Sequence, residues 1–269
     1  MGFMISDLHN DMLTALKADE YLSYLGEIKD YAKPVLAIWS TRLKVECGFL
    51  KSLTSRIPAE FARFAIEDAH FLGNGSLEIL SEIPLLYVGL TWNDDNALAG
   101  GAKASSSNGL TERGKEVVRQ IERLGIAVDT AHLNRKSFFD VLDYSRGKIL
   151  CSHCCFDAVC SHPRNLTDKQ LALLVSRGGI VGMTLESSFL ASERATLVDA
   201  VRHIDYFVQR FGCDNLAIGS DFNGCTPPEE LCDYPSFVGL KTELEKLGYS
   251  YGDIRKIFES NARNFFDCR

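Results

Sequence analysis

The feature that most constrains this chain is a recurrence: short apolar, β-branched runs separated by longer amphipathic stretches along the whole sequence. The runs are FMISDLH (3–9), PVLAIWS (34–40), ARFAIED (62–68), LLYVGLT (85–91), GIAVDTA (125–131), KILCSH (148–153), GIVGMTLE (179–186) and LAIGSDF (216–222). Near-continuous apolar strands need cover on both faces, which is the situation of a parallel sheet wrapped by helices. The stretches between them carry helical spacing, as at Val117, Val118, Ile121 and Leu124, and Thr167 with Gln170 makes a capping box that opens one helix. Eight strand and helix units in 269 residues predict an α/β chain folded as a single (β/α)8 TIM barrel domain, 1–269.

Composition narrows the function classes. With 29 Lys+Arg against 36 Asp+Glu, a net charge of -7 and no dense basic stripe, the chain is not expected to bind nucleic acid. No apolar run reaches the roughly 18 to 20 residues a membrane span needs, and the opening MGFMISDLHND lacks a signal-peptide layout, so the expectation is a cytoplasmic protein with no membrane partner. Four of nine cysteines crowd into CSHCCFDAVC (Cys151, Cys154, Cys155, Cys160). No second pair follows at zinc-finger spacing, so these read as small buried thiols rather than as disulfides or a structural zinc site.

The last residues of the runs carry the chemistry: His9 and Asp11 after the first, Glu67 ending the third, His132 after the fifth, His153 ending the sixth and Asp221 ending the eighth. A single histidine at a strand end is most often a hydrogen-bonded core residue. A barrel, however, gathers its strand ends at one face, so residues scattered over the chain would share one pocket, where several unpaired charges would be costly. Imidazoles with carboxylates suit Zn²⁺ or a similar divalent ion, and their number exceeds what one tetrahedral ion accepts. Two ions bridged by a carboxylate satisfy the set. His70, His162 and His203 are left outside it, the first as a supporting residue and the others in loop and helix contexts.

The chain resembles the renal (membrane) dipeptidase family along nearly its whole length. The resemblance is carried by SDLHND (6–11), AIED around Glu67, LTWNDDNALAGG (90–101), GLTERGKEVVRQIERLGIAVDTAH (109–132), ILCSH ending at His153, SHPRNLTDKQL (161–171) and HIDYFVQRFGCDNLAIGSDFNG (203–224). It implies that His9 and Asp11 bind one zinc, that Glu67 bridges both, and that His132 and His153 bind the second. It further implies that Arg164 holds the substrate carboxylate and that Asp221 handles the proton. The activity implied is hydrolysis of small dipeptides, L-X-D-X or L-X-L-X, by a metal-bridged hydroxide, and a homodimer is among the assemblies implied.

Two departures from the family pattern stand out. Only 57 residues lie between His9 and Glu67, a short stretch for the family, which predicts a more open pocket. Trp92 stands where better-known members have a substrate-binding histidine, so it is taken as a substrate-contacting residue of altered preference. Two rival readings remain. One is a TIM-barrel amidohydrolase acting on a non-peptide amide or lactone, disfavoured because such enzymes usually open with His-x-His. The other is a catalytically weakened metal-binding member.

Overall fold

The computed structural model of the protein describes residues 4–41, 45, 48–105 and 107–267. Phe3, which opens the first apolar run, and Cys47 and Cys268 lie outside the described residues. Seven strands form one all-parallel sheet in chain order: β1 (Leu36–Trp39), β2 (Phe64–Glu67), β3 (Leu85–Gly89), β4 (Ala127–Asp129), β5 (Ile149–Cys154), β6 (Ile180–Met183) and β7 (Leu216–Ile218). Each falls within the run expected to supply it, apart from β5, which continues one residue beyond.

The first run differs. It makes isolated bridges rather than a regular strand, yet it closes the sheet on itself. On one side Asn10 N donates to Val35 O and Ala37 N donates to Asn10 O. On the other, Leu8 N donates to Ile218 O, Asp221 N to His9 O and Asp11 N to Phe222 O. The seam is therefore an eighth, irregular stave, and the fold is the (β/α)8 barrel.

Side-chain alternation sets what each strand contributes. The inner cluster includes Leu8, Val35, Ala65, Tyr87, Ala127, Leu150, Ile180 and Ala217, one from each of the eight staves. Alanines at 65, 127 and 217 leave room for the ring of Tyr87. Two residues farther along, the same inward face carries Glu67 after Ala65, Asp129 after Ala127 and Ser152 after Leu150. The barrel is thus apolar in its lower part and polar towards the C-terminal ends of its strands. Phe265 and Phe266, on the helix Asn261–Asp267, pack against the inner cluster.

A second, larger apolar layer lies between sheet and helices. The helix Glu112–Arg123 turns Val117, Val118 and Ile121 into it, while Leu124 is the helix C-cap and 38% exposed. Thr167 and Gln170 form the expected capping box on the helix Asp168–Ser176. Cys151, Cys154, Cys155 and Cys160 are free and buried. Among the described residues no helix is long and apolar enough to cross a membrane.

Candidate metal centre and active site

At the C-terminal end of the barrel a cavity of about 310 Å³ is lined by Asp11, Glu67, His132, His153 and Asp221, and on its walls by Trp39, Trp92, Arg164 and Phe189. His9 lies just beneath, fully buried. Among the described residues three donor sets have ligand atoms within 4.8 Å of one another: His9, Asp11 and Glu67; Glu67, His132 and His153; His9, His153 and Asp221. Glu67 belongs to the first two. Its Oε1 is 2.8 Å from His132 Nε2 and 3.6 Å from His153 Nε2. His9 Nε2 is 3.3 Å from Asp11 Oδ2 and 3.8 Å from Asp221 Oδ1.

The outer nitrogen of each imidazole is already engaged. His9 Nδ1 meets the Tyr87 hydroxyl at 2.8 Å, His132 Nδ1 the Asn93 amide oxygen at 3.0 Å, and His153 Nδ1 the Ser152 hydroxyl at 2.8 Å. An amide oxygen only accepts, so His132 carries its proton on Nδ1 and presents the lone pair of Nε2 to Glu67 and His153. His132 Nε2 and His153 Nε2 lie 2.9 Å apart, the arrangement of two ligands converging on one point.

The electrostatics fit cations in this site. Burial, reinforced by the charge of Asp11, pushes the Glu67 carboxyl well above the ordinary carboxylate range. Burial does the same to Asp221, with Asp11 again adding to it while His9 opposes. Burial alone would lower His9, but the surrounding Asp11, Glu67 and Asp221 carboxylates push it up to about 10. His132 and His153 are held well below their ordinary value, first by burial and then by the positive charges of Arg164 and His9. His9 Nε2 and Asp11 Oδ1 are buried with no hydrogen-bond partner in the protein. Crowded carboxylates, the neutral imidazoles of His132 and His153 and the partnerless polar atoms of His9 and Asp11 make a set of groups that could hold divalent ions.

Backbone strain is concentrated here. The non-glycine residues at positive φ among those described are Asp68, His132, Asp221 and Asn223. All follow strand ends, and all are types that tolerate the left-handed region best. At Gly224 a Cβ would overlap Asp11 Oδ2 and crowd Asp221 Oδ1, so a side chain there would displace both carboxylates.

Arg164 is 4% exposed, its guanidinium 5.5 Å from the Phe189 ring, and its Nε and Nη2 have no partner within the protein. A buried cation with open donors fits a carboxylate ligand. Trp92 lies between the ring of Trp39, 4.8 Å away, and that of His132, 5.9 Å away. Trp39 ends β1 and was not singled out from the sequence, although its place at the end of PVLAIWS was the available signal. Of the histidines left aside, His70 contacts Ser40 and Asp68, His162 packs on Phe189, and His203 is buried among apolar residues.

A parallel barrel whose strand ends gather histidines and carboxylates around one pocket belongs to the class of metal-dependent hydrolases. The sequence matches the membrane dipeptidase family (peptidase family M19) over residues 60–266, and the chain belongs to that family of metal-dependent peptide-bond hydrolases. His9 and Asp11 precede the matched span.

A Klebsiella pneumoniae protein described only as uncharacterized, from the pqqA 5' region, is 33% identical over 185 residues, covering 65% of this chain and 68% of its own. The dipeptidase tcpJ of Claviceps purpurea is 31% identical over 206 residues, or 73% of this chain and 48% of its own. The chain therefore spans about half the length of that curated dipeptidase. In fold, it is similar to a Rhodobacter sphaeroides metallopeptidase solved with a phosphinate mimic of the dipeptide L-Ala-D-Ala, with a TM-score of 0.85, 22% identity and 99% of each chain covered.

Proposed function

We propose that this chain is a binuclear zinc dipeptidase that hydrolyses small dipeptides, with L-X-D-X substrates foremost. The observation that carries the reading is Glu67, the one residue shared by the His9–Asp11 and the His132–His153 donor sets. A single carboxylate that faces both donor sets would serve as the shared ligand of a two-metal site. His9 and Asp11 would hold one zinc, His132 and His153 the other. The fold neighbour's dipeptide mimic supports the choice of a small substrate, as does the modest cavity. Apolar layers that run from Ile5 to Ala262 support one barrel domain across the chain.

Divalent ions held by His9, Asp11, Glu67, His132 and His153 would supply two things: a bound water of lowered pKa and polarisation of the scissile carbonyl. The protein's own residues do the rest. Arg164 binds the free carboxylate of the dipeptide through its open Nε and Nη2 donors, which fixes the register of the peptide bond over the ligand cluster. Asp221 lines the cavity with its Oδ1 3.8 Å from the buried His9 Nε2, where it would accept the proton released by the attacking water and return it to the departing amine nitrogen. The C–O bond forms first to give a tetrahedral adduct, and the C–N bond then breaks as the amine nitrogen takes the proton, so no covalent enzyme intermediate is required. Trp92 and Trp39 wall the pocket and limit the side chains it admits.

The test is a panel of L-L and L-D dipeptides assayed with zinc supplied, alongside metal analysis. Release of amino acids from L-X-D-X dipeptides by a protein holding two ions is expected. Two ions with no turnover on any dipeptide would reject the activity.

A further inference from the structure

We propose that Asp7 with Ser220, and Asp129 with Ser152, are two copies of one positioning clamp, each setting the ligands of one ion of the centre. The assignment rests on the binuclear reading above. Neither carboxylate lines the cavity, and both are buried, Asp7 being 1% and Asp129 3% exposed. They therefore act through other residues rather than on substrate.

The two hydrogen-bond patterns correspond, except that Asp7 Oδ2 also accepts from the Tyr234 hydroxyl at 2.6 Å. In the first clamp, Asp7 Oδ1 accepts from Ser220 N at 2.8 Å and from His9 N at 3.2 Å, while Oδ2 accepts from the Ser220 hydroxyl. In the second, Asp129 Oδ1 accepts from Ser152 N at 2.9 Å and from Ala131 N at 3.0 Å, while Oδ2 accepts from the Ser152 hydroxyl at 2.5 Å. In each, one oxygen ties the residue two ahead of the aspartate to a serine on the neighbouring stave, and the other oxygen takes that serine's proton. Each serine immediately precedes a site residue, Asp221 or His153. Each aspartate lies just ahead of a histidine, His9 or His132.

A serine hydroxyl has one proton. Once Ser152 has given it to Asp129, its oxygen can only accept, so the contact to His153 Nδ1 must be donated by the imidazole. His153 is thereby fixed as the Nδ1–H tautomer with the Nε2 lone pair facing Glu67 and His132. Ser220 accepts instead from Phe222 N at 3.2 Å, and this holds the turn that places Asp221 at a φ of 65°. Outer partners of this kind orient metal ligands, and their loss weakens metal binding by about 10 to 100-fold.

The competing role is simple stitching of adjacent staves, which would show as lost fold stability rather than lost metal. The variants Ser152→Ala, Ser220→Ala and Asp129→Asn, with His132→Ala as reference, separate the two. Zinc affinity is measured by chelator competition, and the melting temperature is measured on the metal-free proteins. The wild type is expected to hold two ions. Ser152→Ala and Asp129→Asn should each weaken one of them about 10 to 100-fold, the same ion that His132→Ala loses, without adding to one another in the double variant. Ser220→Ala should weaken the other ion, with metal-free melting temperatures near the wild-type value. Two ions in the wild type with unchanged affinity in both serine variants would overturn the clamps, as would affinity losses that only follow lowered metal-free melting temperatures. Fewer than two ions in the wild type would overturn the binuclear reading, and the clamps with it.

Discussion

The hydroxyl of Tyr87, rising from inside the barrel on β3, stands 2.8 Å from His9 Nδ1 and 2.8 Å from the carbonyl oxygen of Leu8. Its single proton goes to the carbonyl, so the imidazole must donate to the phenol oxygen, and Nε2 is the nitrogen that faces Asp11 and Asp221 and would give up its proton to a metal ion. Tyr87→Phe removes the acceptor that fixes this tautomer. Zinc affinity should fall about 10 to 100-fold, and stability by about 1 to 3 kcal/mol from the stranded Leu8 carbonyl. Chelator competition and urea unfolding measure the two separately.

Glu67→Gln should cost more metal than any single histidine change. On the proposed binuclear reading the substitution removes the negative charge and one of the two oxygens shared between the ions, whereas each histidine serves one ion. Elemental analysis of Glu67→Gln beside His9→Ala, His132→Ala and His153→Ala checks the order. A wild-type chain with one ion, unaffected by Glu67→Gln, would reject the shared carboxylate.

Arg164→Ala should lower kcat/KM for free dipeptides and have much less effect on the same dipeptides with an amidated C-terminus. On the proposed reading the guanidinium contributes through the carboxylate alone, and amidation would remove that contribution from the wild type as well. Equal losses on both substrate types would show that Arg164 does not read the carboxylate.

Trp92→Ala should widen side-chain tolerance across a dipeptide panel and reduce kcat for the best small substrate by less than about tenfold, below the 100 to 1,000-fold typical of a lost oxyanion donor. The expectation follows from its packing between Trp39 and His132, which makes it a wall. A drop of several hundredfold would instead mark it as a donor. An unchanged profile with a lower melting temperature would make it a packing residue.

His203 gives a pH dependence whose sign is fixed. Its Nδ1 accepts from Phe156 N and its Nε2–H reaches Leu190 O, so the folded state holds the neutral ring. Burial lowers its pKa from 6.5 to about 4. Above about pH 6.5 the ring is neutral in both states. As the pH falls from there towards 4, only the unfolded chain takes up the proton, and stability falls by roughly 3 kcal/mol on this account. In urea unfolding of the metal-free protein, His203→Gln should lose about 2 to 3 kcal/mol less than the wild type between pH 7 and pH 4.5. An identical loss in both proteins would remove His203 from the acid response.

The strands were legible because a strand buried on both faces must be apolar throughout, and few other structures ask for that. Their ends were legible because chemistry-bearing residues interrupt the apolar runs abruptly, as at Glu67 and His153. The first run was legible as a stave but not in its form. It bonds to β1 on one side and to the segment around β7 on the other while bending to bring both His9 and Asp11 to the centre, and no periodicity announces that.

The supporting layer was not legible at all. Asp129 and Ser152 look like ordinary polar residues in apolar runs, and Asp7 is two places from a more conspicuous histidine. Trp39 and Trp92 are far apart in the chain and meet only across the pocket.

What the sequence determined by itself was the kind of element at each position and the chemical types that would stand at the barrel's C-terminal face, because both follow from local pattern. Tertiary structure alone decided which donor atom of each candidate ligand faces inward. Hydrogen-bond partners contributed by other staves set the tautomer of His9 through Tyr87 and of His132 through Asn93, and such partners become neighbours only when the barrel closes.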